Sequence, residues 1–202
     1  MHLSRPYLPA DQRRSATIDA VIELAAERNP GDITTAAIAE RMGLTQGALF
    51  RHFPSKNAVW EAAMNWVADN LLQRLDVAEQ AADTPLQALE ALFMAHVAFV
   101  ARHPGIPRML FGQLQNPEST AAKSVAQSLL RRYDERLVRL LESGKASGEI
   151  ALDLDAASAA MLFIGSIQGL VMQSLLAGDV ARMEQNAPAL FRQLRRAFAV
   201  RQ

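Results

Sequence analysis

Apolar residues recur along this chain at three- and four-residue intervals almost from end to end, the spacing of one face of an α-helix. No stretch alternates apolar and polar positions as a half-buried strand would. The first run spans about Asp11 to Arg28, with Ile18, Val21, Ile22 and Ala25 on one face. Asn29-Pro30-Gly31 ends it, because proline cannot continue a helix and glycine accepts turn conformations. Thr34 is placed to cap a short helix reaching Arg41, and Gly43 ends that helix. Thr45 caps a third, shorter helix from Gln46 to His52. Pro54-Ser55 breaks the chain, and Ser55 opens a long helix from Lys56 to Ala81. Further helices are expected from Pro85 to Arg102, Arg108 to Gln115, Asn116-Pro117 to Ser147, Ala156 to Gly178 and Asp179 to Val200. The one ending at Ser147 runs for about 30 residues, hence about 45 Å. Asp153 or Asp155 caps the helix that follows. The pattern predicts an all-α fold of about nine helices, divided into residues 1–58 and 59–202, with the fourth helix shared between the halves.

Composition narrows the reading. Half of the 202 residues are hydrophobic and only 6% are aromatic, so Ala, Leu and Val carry the core, and the first two favour helix. Formal net charge is zero, so contact with nucleic acid requires a local basic patch. The chain has no cysteine, which excludes disulfides, thiolate metal sites and cysteine nucleophiles and fits a cytoplasmic location. Met1 to Pro9 lacks the long apolar run of a signal peptide. Ala156 to Gly178 carries no charge and is long enough to cross a bilayer. Asp155 and Asp179 flank it, however, and Ser158, Ser166, Gln168, Gln173 and Ser174 interrupt it. It reads as a helix buried in protein, with no membrane as a partner.

The most informative stretch is Thr34 to Lys56, TTAAIAERMGLTQGALFRHFPSK. It encodes two short helices joined by a tight turn at Met42-Gly43-Leu44-Thr45. Ile38, Ala39, Leu44, Ala48, Leu49 and Phe53 can point inward against Ile18, Ile22 and Ala25, and the small Ala39 and Ala48 permit close crossing. This is the arrangement of a helix-turn-helix unit, whose second motif helix enters the major groove of DNA. Between Arg41 and Val59 stand three basic residues, Arg41, Arg51 and Lys56, and no acidic one. Thr45 offers a hydroxyl at a helix N-terminus, which suits a phosphate. Gln46 pairs a donor with an acceptor and can read adenine. Gly47 permits close backbone approach, His52 and Lys56 can reach phosphates, and Arg13 and Arg14 can add backbone contacts.

The pattern Thr34-x-x-x-Ile38-Ala39, then Gly43-Leu44-Thr45-x-Gly47-Ala48-Leu49-Phe50-x-His52-Phe53-x-Ser55-Lys56, resembles the DNA-binding signature of the tetracycline-repressor (TetR) family. The resemblance covers residues 12 to 60 or so, and the remainder is similar to the family in size and helical character only. It implies that Thr34, Thr45, His52 and Lys56 hold phosphates, while Gln46 and Gly47 face base edges with Thr35 nearby. The family usually has a tyrosine that bonds a phosphate through its hydroxyl, and Phe50 stands in its place.

The second half suggests pairing and sensing. Gly165-x-x-x-Gly169 allows close helix contact, and Leu190, Leu194, Ala197 and Phe198 form a stripe on the last helix. The resemblance implies a homodimer through helices at about 155–177 and 180–200. A pocket for a small organic effector is expected behind the fourth helix, lined by Trp66, Phe93, His96, Phe99, Met109, Phe111, Gln113, Met161 and Phe163. No serine-hydrolase frame, phosphate loop, calcium loop or dinucleotide fingerprint occurs, and His96 and His103 lack a third metal ligand. No catalysis, cofactor or metal is therefore expected. The expected function is a dimeric repressor that binds an inverted-repeat operator in double-stranded DNA and is released by an effector. The alternatives are an activator of the same family, a helical protein with an unrecognised catalytic pocket, and a helical adaptor.

Overall fold

The structure is a computed structural model and describes residues 10–115 and 117–200. The readings made for Met1 to Pro9 and for Asn116 as a helix start lie outside those residues. Nine α-helices and one 3-10 turn make up the described residues. They are α1 Ala10–Glu27, α2 Thr35–Arg41, α3 Gln46–Phe50, α4 Lys56–Gln80, α5 Pro85–Arg102, α6 Gly105–Gln115, α7 Ala121–Ala146, α8 Ala156–Leu176 and α9 Ala181–Phe198.

The first three helices form a small unit with its own core. Val21, Ala25, Ile33, Ile38, Leu49 and Phe53 are fully enclosed, and Ile18 and Ile22 close over them. Leu44 and Ala48, also expected inside, are half-buried. The hydroxyls of Thr34, Thr45 and Ser55 accept from Ala37, Ala48 and Ala58 N–H at 3.1, 3.2 and 3.1 Å, so each helix start is satisfied by its own cap. Gly43 turns the chain out of α2 with φ at +66°, a conformation open to glycine and costly for most other residues.

α4 leaves this unit and continues into the larger one, where it packs on α5 and α7. There the helices enclose one core in which Phe93, Phe163 and Phe191 meet, with Phe93 and Phe163 edge to face at 5.3 Å. Asp155, the second of the two expected caps, closes α8 by accepting from Ser158 N–H at 2.7 Å.

Several boundaries depart from the sequence pattern. α6 begins at Gly105, not Arg108, because Pro107 sits in the first turn, where a missing N–H costs no helix bond. α7 begins at Ala121, where Thr120 accepts from Lys123 N–H at 3.1 Å, so it has 26 residues and spans about 39 Å. α3 stops at Phe50, two residues short of the expected His52. α9 stays continuous through Pro188, and its buried stripe is Met183, Ala187, Phe191, Leu194 and Phe198. Leu190 is only half-buried there and Ala197 is exposed. Among the described residues α8 is the one helix long and apolar enough to cross a membrane. Here one of its faces packs against α5, α7 and α9.

Candidate DNA interface and ligand cavity

Leu49 anchors α3 in the core of the small unit and turns the rest of that helix outward. Thr45, Gln46, Gly47, Phe50 and Arg51 are all exposed, while His52 is half-buried. A Cβ on Gly47 would meet nothing within 4 Å. Gln46 Nε2 donates to Thr35 Oγ1 at 2.7 Å, which ties α3 to the start of α2 and holds the amide ready on the outer surface. Lys56 Nζ donates to the carbonyl of Gly31 at 3.2 Å, so its ammonium sits beside the turn between α1 and α2. Phe50 leaves 42% of its surface in contact with solvent.

Arg41 departs from the basic patch drawn from sequence. Its guanidinium bonds Glu23 at 3.2 Å and also bonds Glu27, both on α1. The hydrogen bond with Glu27 raises the arginine and lowers that carboxyl. Two carboxylates therefore offset Arg41, and the local positive charge rests on Arg51 and Lys56. Arg14 lies over the ring of Phe53, 4.9 Å from its centroid, and braces the unit through a cation–π contact.

The larger unit encloses a cavity of about 320 Å³ between α4, α5, α6, α7 and α8. Of the residues expected to line it, His96, Phe99, Phe111 and Gln113 do so. Trp66 stands behind the wall, stacked on Phe99 at 6.2 Å and edge-on to His103 at 5.5 Å. Phe93, Phe163 and Met109 are wholly buried outside the lining. Met161 faces the opposite way on α8 and is 74% exposed. Sequence reasoning missed Met64, Val67 and Leu71 of α4, Tyr133 of α7 and Ile167 of α8. The α4 set has the i, i+3, i+7 spacing of one face, a signal available in the sequence. Desolvation lowers His96 to about 4 and raises the Tyr133 hydroxyl, so both are uncharged near neutral pH.

α6 joins the cavity to the small unit. Ile106, Leu110 and Phe111 line the cavity from it. Gly105, at its start, lies so close to α1 that a Cβ there would stand 2.0 Å from the Ile22 carbonyl oxygen. Gly112 packs on Pro30 of the 3-10 turn. A shallower hollow of about 270 Å³ separates the two units at this seam, bounded by Pro30, Lys56, Trp60, Gly112 and Gln113. Gln113 faces both spaces and accepts from Thr120 Oγ1 at 2.9 Å.

The outer face of α8 is apolar and uncovered. Leu176 is 80% exposed, and Leu162 and Met172 join Met161 there. Gly165 and Gly169 lie in the same stretch with open space where a Cβ would be.

The family model described as bacterial regulatory proteins of the tetR family matches residues 18–63. A second, described as a tetracyclin repressor-like C-terminal domain, matches residues 115–190, so the two span more than half of the chain. The nucleoid occlusion factor SlmA of Idiomarina loihiensis is 29% identical over 167 residues, 81% of this chain and 85% of that protein. The SlmA of Shewanella amazonensis is 29% identical over 148 residues, 73% of this chain and 75% of its own length. Among solved structures, a TetR-family regulator from Agrobacterium tumefaciens superposes with a TM-score of 0.81 at 18% identity, covering 95% of this chain and all of that one. The regulator FadR of Bacillus subtilis, in complex with stearoyl-CoA, superposes at 0.78 and 19% identity, covering 89% of this chain and 96% of its own. The ketosteroid regulator KstR2 of Mycobacterium tuberculosis gives 0.78 at 20% identity, covering 94% and 96%.

Proposed function

The chain belongs to the TetR family of bacterial regulatory proteins, and from that premise we propose that it is a homodimeric repressor released from its operator by a small effector. In this reading residues 1–58 hold DNA, residues 59–202 pair and sense, and the protein regulates without catalysing a reaction. The carrying observation is the outward face of α3, where Gln46 and Gly47 stand clear of the core beside Arg51. Gln46 and Gly47 meet base edges, with Thr35 holding the Gln46 amide. Thr34, Thr45, Arg51, His52 and Lys56 meet phosphates and fix the register. Phe50 offers the backbone an apolar edge and no hydroxyl.

Two copies pair through α8 and α9. Burying Met161, Leu162, Met172 and Leu176 against a twin removes the largest exposed apolar side chains of that helix from water. Gly165 and Gly169 let the two helices approach closely. A ligand in the cavity presses on α6, and α6 carries the displacement to α1 through Gly105 and to the 3-10 turn through Gly112. The two α3 helices then leave the spacing of successive major grooves, about 34 Å. Such release requires that the ligand prefer the non-binding arrangement. The likeness to SlmA supplies a second reading, a nucleoid occlusion factor. The apolar cavity favours the first.

Selection of duplexes from a random pool tests this proposal. The expected product is an inverted repeat bound by a dimer, with log K falling linearly as log salt rises. Failure to enrich any sequence contradicts it.

A further inference from the structure

The cavity wall holds two polar atoms with no partner. His96 Nδ1 and Tyr133 Oη are cut off from solvent, and neither takes part in a hydrogen bond. The two rings lie side by side with centroids 5.5 Å apart. Native cores seldom keep such groups, because a buried polar atom left unpaired costs stability. Phenylalanine and leucine would fill the same volumes without that cost. Around the pair the wall is apolar, with Val67, Phe99 and Ile164 nearby in the lining, whereas the exposed Leu114, Gln127 and Leu130 mark the rim.

Charge at the pair narrows the chemistry. Burial keeps the His96 imidazole neutral and the Tyr133 hydroxyl protonated. The Arg136 guanidinium close to Tyr133 pairs with Asp76 through Nη2 and with Glu79 through Nε at 3.4 Å, and although its Nη1 is buried without a partner, its charge is already offset by these two carboxylates. The lysine of the lining, Lys123, is ten residues from Tyr133 on α7, about 15 Å along the helix, so a carboxylate brought to the pair itself would be desolvated with no uncommitted charge beside it. A hydrocarbon would leave both atoms unpaired. An uncharged oxygen satisfies both, since the Tyr133 O–H donates to it and His96 Nδ1 takes the second position as donor or acceptor according to tautomer.

We propose that the effector is an uncharged, mostly apolar molecule whose buried end carries a carbonyl or hydroxyl oxygen held between Tyr133 and His96. The inference rests on the reading of this cavity as the effector site. The volume, about 320 Å³, is at the small end of sites that take compact organic ligands.

Three probes with one chain length test it on the full chain near neutral pH: 2-decanone, 1-decanol and decanoate, each followed by tryptophan fluorescence and by the shift in Tm. The ketone and the alcohol bind about tenfold more tightly than decanoate. Tyr133→Phe weakens 2-decanone about tenfold, leaves decanoate unchanged, and does not lower the Tm of the unliganded protein, because the hydroxyl has no bond to lose. His96→Leu narrows the preference in the same direction. Decanoate binding as tightly as the ketone overturns the proposal, as does a lower unliganded Tm for Tyr133→Phe or binding by none of the three. A selected duplex added to the same samples separates the two claims. Preferential binding of 2-decanone with unchanged duplex affinity overturns the regulatory reading alone. Release by decanoate and not by 2-decanone overturns the ligand assignment and leaves the regulatory reading standing.

Discussion

Gln46 and Lys56 lie in the same stretch of chain, and the proposed reading gives them different work on DNA. An amide that pairs with a base edge contributes only where that base is present, whereas an ammonium near a phosphate contributes on any duplex. Gln46→Ala is therefore expected to cost about 1–3 kcal/mol on the selected site and little on random DNA. Lys56→Ala is expected to weaken both alike and to reduce the salt slope by about one. Anisotropy titrations on the two duplexes check both, and equal losses for Gln46→Ala would remove that residue from base reading. His96 carries a separate prediction. Its folded pKa, about 4, lies below the value of an exposed imidazole, so between about pH 6.5 and 4 the unfolded chain binds a proton that the native chain does not. Stability at this residue is full above that window and is lost as pH falls through it. Chemical denaturation of the wild type and of His96→Leu across the window should show the wild type losing stability relative to the variant as pH falls, so that the gap in favour of leucine widens, and parallel curves would contradict it. Most of the small unit's buried residues and its caps were legible in the sequence, because each is set by neighbours three or four positions away. The neutralisation of Arg41 was not, because Glu23 and Glu27 belong to another helix and only packing brings them near.

At the scale of elements, the helices themselves were legible and several ends were not. Pro107 reads as a breaker, yet within the first turn of α6 it is compatible with helix. Thr120 competes with Asn116-Pro117 as the start of α7, and the observed cap is the threonine hydroxyl. The cavity was half legible for a related reason. Aromatic and methionine positions on helices mark burial, and burial alone does not separate the lining from the core behind it. Phe93 and Phe163 fill the core, Met161 looks outward, and Tyr133 was overlooked on the helix that closes the cavity. Two elements carry predictions. On α8, a Cβ at Gly165 meets nothing within 4 Å in the subunit, so Gly165→Leu should leave helicity intact while weakening the dimer. Analytical ultracentrifugation checks this, and an unchanged dimer would move the interface elsewhere. On α6, Gly105→Ala forces a Cβ onto the Ile22 carbonyl and should destabilise the protein by about 1–3 kcal/mol, as overpacking does. A thermal melt equal to the wild type would deny the close seam between α6 and α1.

At the scale of the whole molecule, one polypeptide joins the helix-turn-helix unit to the larger helical unit through α4 and α6, with no flexible tether between them. The formal charge of zero hides this division, since only the exposed face of α3 and its surroundings need attract phosphate. The all-helical fold was readable from periodicity, and its helix-turn-helix unit from the signature around Thr45. The proposed pairing of two copies draws on a surface that shows itself only once α8 is seen with one face buried and the other bare. The central claim is that α3 of each subunit lies in a major groove. The chain has no cysteine, so Gly47→Cys gives a single attachment point for an iron-chelate DNA cleaver. On a selected duplex the conjugate should cut at two clusters, separated by about 10–10.5 base pairs or a multiple of that. A uniform cutting pattern, or no cutting on a duplex that the protein demonstrably binds, would contradict the account.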